Sequence, residues 1–238
     1  MTAGVRELLP LQSVFKLPLA VAVLHEAQGG RVNLDQELTV TAADRAPGVA
    51  SNAKKWIQAP RDVKVRELLE YSLVESDNTS SDKLLELVGG PRGLTERMRA
   101  LGFGGIEVRS ATRAMGSDGA CPNEGTSEAL ANLLVALERG EILERPERAL
   151  LWDWMGRART GERRIRAGLP AGTRVVDKTG TGRDGAVTND VGVVTLPESG
   201  GHLAIVVLIA GSTSTARAQE DLIAEIARTA VEDFAPPS

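Results

Sequence analysis

Directly after Ser13-Val14-Phe15-Lys16 the chain runs Leu17-Pro18-Leu19-Ala20-Val21-Ala22-Val23-Leu24, a stretch without a polar side chain. The stretch is apolar nearly all round, so it predicts a helix over Ser13–Gln28 that other elements enclose on every side. Ser13 and Lys16 lie three residues apart at its head and share one face, one turn from each other. A hydroxyl and an amine at the start of a buried helix are costly unless they work. A serine hydroxyl is a weak nucleophile near neutral pH and needs a base within hydrogen-bond reach. An amine whose pKa is lowered by burial and by a second cation can accept its proton.

Ser-x-x-Lys alone is a weak signal, and the chain contains it three times, at Ser13/Lys16, Ser51/Lys54 and Ser80/Lys83. The latter two sit among Asn52, Lys55, Asp82 and Glu86 and read as surface. Ser76-Asp77-Asn78 occurs once, and by itself reads as a helix N-cap or Asx turn before the helical stretch Ser81 to Val88. Lys178-Thr179-Gly180 occurs once, after the strand-like Thr173-Arg174-Val175-Val176, and by itself reads as a strand running into a glycine turn. Together and in this order, the three strings spell the active site of a penicillin-recognising serine enzyme.

On these residues the chain resembles the class A β-lactamases, within the penicillin-binding serine acyltransferase superfamily. The resemblance extends through Leu68-Leu69-Glu70-Tyr71-Ser72, Leu87-Val88-Gly89-Gly90-Pro91, Gly168-Leu169-Pro170-Ala171-Gly172-Thr173 and Thr188-Asn189-Asp190-Val191-Gly192, and covers Leu11 to about Phe234. It implies that Ser13 attacks the lactam carbonyl and becomes acylated, with Lys16 as base or as holder of the surrounding proton network. Ser76 would pass a proton to the leaving nitrogen, and Asn78 would hydrogen-bond the substrate amide and Lys16. Lys178, Thr179 and Thr181 would grip the substrate carboxylate, with Gly180 between them. The backbone N–H groups of Ser13 and Thr181 would form the oxyanion hole. No metal or other cofactor is implied, and the substrate is a small β-lactam. His25 and His202, the two histidines of the chain, read as structural or surface residues.

Two departures from the family pattern bear on function. The family carries a water-activating glutamate in a surface loop. Here that loop runs Arg109 to Glu124, and the glutamate position falls on Thr112, or on Ala111 or Arg113 if the alignment slips by one, and none of the three is acidic. The downstream asparagine-like position falls on Gly116. Asp118 and Glu124 are candidates to substitute for the glutamate, though neither has the expected spacing. Without a base the acyl-enzyme is expected to persist, as it does on penicillin-binding D-Ala-D-Ala peptidases or a non-turning-over β-lactam sensor or relic, the rival readings. The second departure is the start. Twelve residues precede Ser13, where the family has a helix and two strands. The expected sheet therefore lacks two strands and exposes an edge, and the final helix loses packing partners. The start codon then lies upstream, or the chain is a fragment or a short form that covers the edge another way.

With 238 residues, the chain fits a single α/β domain of α+β type: an antiparallel sheet flanked by helices (about 1–40 and 169–238) and an all-helical part, about 41–168. Helices are expected at Val65–Leu73, Arg92–Leu101, Thr126–Gly140, Pro146–Met155, Glu162–Ala167 and Ala216–Val231. Strands are expected at Arg174–Thr179, Asn189–Leu196 and Leu203–Gly211. The formal charge of −4 and a pI near 5.4 argue against a nucleic-acid partner, and the basic run Arg157 to Arg166 reads as a solvated helical face. The single cysteine, Cys121, excludes an intramolecular disulfide and reads as an exposed thiol. Met1 to Gln12 shows no signal peptide, and no apolar stretch is long enough to span a membrane. By resemblance the protein works in the periplasm or outside the cell, as a monomer.

Overall fold

The computed structural model describes residues 6–47, 60–114, 122–182, 185–196 and 201–234. The predicted nucleophile helix forms in two pieces. A 3-10 turn over Gln12–Phe15 runs directly into α1 (Lys16–Gln28). Every side chain of α1 from Lys16 through Leu24 is buried, because four helices pack around it: α2 (Val65–Val74), α3 (Asn78–Leu87), α4 (Gly90–Ala100) and α6 (Arg145–Gly156). Pro18 costs α1 no hydrogen bond, since it falls in the first turn, where backbone N–H groups have no intrahelical partner. Glu26 is buried on the last turn and is neutralised by Arg31 and Arg97.

The main sheet has the antiparallel order β6-β7-β8, with β6 at Val175–Thr181, β7 at Thr188–Thr195 and β8 at His202–Ile209. Its register pairs Lys178 with Val191 and Gly180 with Asn189. The long final helix α7 (Ala216–Phe234) covers one face, burying Ile223, Ala227 and Val231 against Val175, Val194, Ile205 and Val207. Each of these valine and isoleucine side chains contributes about 1.5–3 kcal/mol when fully removed from water. The other face meets α5 (Ser127–Arg139), α6 and the 3-10 turn of the nucleophile. Among the described residues, no strand pairs with the outer edge of β8.

The structure alters three expectations. The middle of the chain is not all-helical. β3 (Arg61–Lys64) pairs with β2 (Glu37–Val40), and the two-residue strands β4 (Ile106–Glu107) and β5 (Glu124–Gly125) join β1 (Leu9–Pro10) in a second small sheet. Strands this short have no periodicity to read. The helix expected at Glu162–Ala167 is instead a 3-10 turn at Ile165–Gly168. Gly161 reverses the chain at φ +85°, and the Ile165 N–H donates to Asp190, so the backbone leaves the helical path. The Ser80/Lys83 match is not surface. Ser80 is fully buried and donates to Asp77 from both its backbone and its hydroxyl, while Lys83 pairs with Asp44 at 3.1 Å. Ser51/Lys54, the cleft-entrance segment Ala50–Asn52, Gly116, Asp118 and Cys121 lie outside the described residues.

Candidate active site

A cleft of about 610 Å³ opens between the helices and the sheet, a normal size for a small-molecule site. Ser13, Ser76, Asn78, Thr112, Thr179 and Thr181 line it. Ser13 sits in the 3-10 turn ahead of α1, and the residue before it, Gln12, is held at φ +49°. Ser76, between α2 and α3, is at φ +54°. Non-glycine residues in the left-handed region cost of order 1–3 kcal/mol each and persist where the surroundings fix them. Gln12 precedes Ser13 and Ser76 carries its own hydroxyl, and both serines line the cleft. Several ties hold the nucleophile segment. The Asn189 side chain donates to the carbonyls of Pro10 (2.8 Å) and Leu11 (3.2 Å), and the Leu11 N–H donates to the Asn123 carbonyl at 2.8 Å.

Two fully buried lysines meet at Ser76. Lys16 Nζ donates to the Ser76 carbonyl (2.5 Å), to Ser76 Oγ (3.2 Å) and to Asn78 Oδ1 (2.7 Å). Lys178 Nζ donates to the same Ser76 Oγ at 3.1 Å and to the Thr179 carbonyl at 3.0 Å. Burial, and next the charge of Lys178, push Lys16 well below the usual lysine range. Burial also lowers Lys178, to about 8, against the raising pull of Asp177 and Asp190 behind it. A neutral Lys16 accepts from Ser76 where the ammonium donates, so this arrangement can move a proton between Ser76 and Lys16. Asp77, the middle residue of its string, faces inward and caps α3, so the N-cap reading holds while Ser76 and Asn78 of the same tripeptide line the cleft.

Lys178, Thr179 and Gly180 are all interior to β6, which continues through Thr181. Gly180 sits where the strand passes the nucleophile turn. A Cβ there would fall inside contact distance of the Leu11 carbonyl and crowd Gln12 and Val14. Gly180→Ala is therefore expected to push β6 away from Ser13. The cost is about 1–3 kcal/mol, with a drop in Tm of about 2–4 °C per kcal/mol and a fall in kcat beyond what the stability loss explains. Thermal unfolding and steady-state kinetics on one preparation check it.

The sequence reading missed Arg164, taken as part of a solvated face. Its side chain is 7% exposed and lies against the cleft wall. It donates to the carbonyls of Gly180 (3.3 Å) and Asn189 (2.9 Å) and to Thr181 Oγ1 at 2.7 Å. Arg166, in the same run, turns inward to pair with Asp177. Nothing in the spacing of Arg157, Arg159, Arg163, Arg164 and Arg166 separates these two from their exposed neighbours. On the same wall Thr179 Oγ1 donates to Thr160 Oγ1 at 2.7 Å. Two cations and a row of hydroxyls can hold a carboxylate there.

On the opposite side, Thr112 occupies the place where the loop was expected to present a carboxylate. Its N–H (2.7 Å) and its hydroxyl (2.6 Å) both donate to Asp82 Oδ1, and the Arg113 N–H donates to Asp82 Oδ2 at 2.8 Å. Glu124, one of the two acidic candidates in this loop, lies on β5 and is ion-paired with Arg109. The loop's base is closed by Asn123, whose Oδ1 accepts from the N–H groups of Arg109 and Ser110.

Comparison with known proteins places this geometry. Residues 5–234 match the beta-lactamase enzyme family. The extended-spectrum beta-lactamase PER-1 of Pseudomonas aeruginosa is 37% identical over 232 residues, covering 94% of this chain and 75% of that protein. A crystal structure of a beta-lactamase from Chitinophaga pinensis superimposes with a TM-score of 0.92 at 34% identity, over 98% of this chain and 88% of that one. An ancestral class A beta-lactamase superimposes with a TM-score of 0.87 at 34% identity, over 98% and 89%.

Proposed function

The chain belongs to the beta-lactamase enzyme family as a class A serine β-lactamase, and from that premise we propose how its cleft opens a β-lactam ring. Ser13 Oγ attacks the lactam carbonyl carbon as its proton passes to the neutral amine of Lys16, one turn along. The backbone N–H groups of Ser13 and Thr181 receive the developing oxyanion. The C–N bond breaks, the nitrogen takes the proton of Ser76, and Lys16 replaces it. The observation that carries this reading is the convergence of both buried lysines on Ser76 Oγ, at 3.2 and 3.1 Å. Asn78 orients Lys16 and the substrate amide.

Lys178, Thr179, Thr181 and Arg164 hold the carboxylate that a penicillin or cephalosporin carries beside the scissile ring, and Gly180 lets β6, which bears the first three, approach Ser13. Arg164→Ala removes one of the two cations and releases Thr181, and is expected to lower kcat/KM about 10- to 100-fold, mainly through KM. Kinetics on paired substrates with and without the carboxylate check it, since the ester should feel little change.

In this reading the protein is a monomer of one domain, with the site between the mostly helical part, about 41–168, and the sheet part. It meets its substrate outside the cytoplasmic membrane. No helix among the described residues is long and apolar enough to cross a membrane. The test is intact mass after short and long incubation with benzylpenicillin, beside turnover of a chromogenic cephalosporin. A one-acyl adduct on Ser13 or rapid product formation supports the mechanism. A protein that is folded, unlabelled and without turnover overturns it. Thr112 in place of a carboxylate is the specific observation that favours a long-lived adduct, the behaviour of a penicillin-binding peptidase or sensor.

A further inference from the structure

The cleft contains one hydroxyl with no part in acylation and with an acid behind it. Thr112 lines the cleft, and its single hydroxyl proton is directed to the buried carboxylate of Asp82 at 2.6 Å, with the Asn78 carbonyl more distant at 3.2 Å. Asp82 is 2% exposed. It sits on α3, one turn beyond Asn78, and its two oxygens also accept the N–H groups of Thr112 and Arg113. The threonine is thus held by two bonds to one carboxylate, in a fixed rotamer, with the lone pairs of Oγ1 left for a donor in the cleft. Among the described residues lining the cleft, the one carboxylate is Glu75, and it is ion-paired with Arg159 at 3.3 Å.

We infer that Thr112 is the acceptor for the hydrolytic water, and that Asp82 acts through it as the terminal base. The inference rests on the acyl-enzyme reading above. A water in the cleft donates to Thr112 Oγ1. As its oxygen bonds to the acyl carbonyl carbon, its proton passes to Oγ1 and the threonine's own proton passes to Asp82 Oδ1. The tetrahedral intermediate then collapses and the carbon–oxygen bond to Ser13 breaks. The hydroxyl proton of the new carboxylic acid goes to the departing Ser13 oxygen, leaving a product carboxylate. Asp82 returns its proton to solvent through Thr112. One water is consumed and one proton released. Asp82 touches no reacting atom and is a positioning residue.

A relay that moves two protons in concert is slower than a carboxylate in direct contact with the water, so four variants, three at Thr112 and one at Glu75, test it. Deacylation of benzylpenicilloyl-enzyme is followed by intact mass after removal of excess penicillin, and acylation by stopped flow. Thr112→Val keeps the shape and removes the hydroxyl. It is expected to slow deacylation about 10²-fold with acylation unchanged, and to lower Tm by a few degrees because the buried Asp82 carboxylate loses a donor. Thr112→Ser is expected to restore the wild-type rate. Thr112→Glu, which puts the carboxylate in direct reach, is expected to exceed it. Deacylation that survives Thr112→Val, or that falls equally in Thr112→Ser, overturns the relay, as does a loss in Glu75→Gln with none in Thr112→Val. A wild-type protein that forms no adduct fails one step earlier and overturns the acyl-enzyme reading itself.

Discussion

Ser13→Ala is expected to abolish the benzylpenicillin adduct and to lower kcat/KM about 10⁶-fold, or to the detection floor, the scale seen when the nucleophile of a serine hydrolase is removed. The loss is this large because acylation requires a covalent bond that no positioning effect replaces. What remains should be binding. Lys178, Arg164 and the threonines of the sheet wall are untouched, so the variant should still hold a β-lactam reversibly, and its affinity can be measured by calorimetry. Stability should hardly move, since Ser13 is half-buried and lies in a turn fixed by Asn189 and the Leu11 backbone rather than by its own hydroxyl. The sharpest alternative is Ser76, whose hydroxyl is bonded by both lysines. Peptide mapping decides between the two. An adduct that survives Ser13→Ala and maps to Ser76 reassigns the nucleophile.

The parts of the site legible in the sequence are those whose chemistry is compressed into short strings. Ser13 and Lys16 could be read because an apolar helix has no other use for them at its head. The tripeptides at Ser76 and Lys178 could be read because each occurs once and in order. What escaped was assembled across the chain. Arg164 looks like its neighbours until β6 and β7 supply the carbonyls it satisfies. Asp82 looks like a surface acid on α3 until the loop folds two N–H groups and a hydroxyl onto it. Asn189 was noticed as part of a strand, while its work is to tie down Pro10 and Leu11, far away in sequence. The same limit applied to the fold. The long strands and helices announced themselves by periodicity, whereas β1, β4 and β5 exist only because three pairs of residues meet. The helix expected at Glu162–Ala167 failed because Gly161 and the arginines after it answer to the sheet rather than to their own backbone.

The pH dependence of acylation should be bell-shaped, and its two limbs should belong to the two lysines. Lys16 works as a neutral amine, so the rate rises with pH as it loses its proton. Burial and the charge of Lys178 bring that limb well below the range of a free lysine. Lys178 works as a cation, so the rate falls as pH passes its own value, about 8. The two are coupled in one direction that can be tested. Lys178→Arg keeps the charge at every accessible pH, so the falling limb near 8 should move out of range while the rising limb stays. Lys178→Ala removes the charge that depresses Lys16, so the rising limb should shift upward and KM for anionic substrates should rise. Lys16→Ala, with no base one turn from Ser13, should lose about 10²–10⁴-fold in acylation rate and should lose the rising limb altogether. Stopped-flow acylation from pH 5 to 10 measures all four proteins. A falling limb that stays at about 8 in Lys178→Arg would take that titration away from Lys178. A rising limb that survives Lys16→Ala would show that another group removes the serine proton.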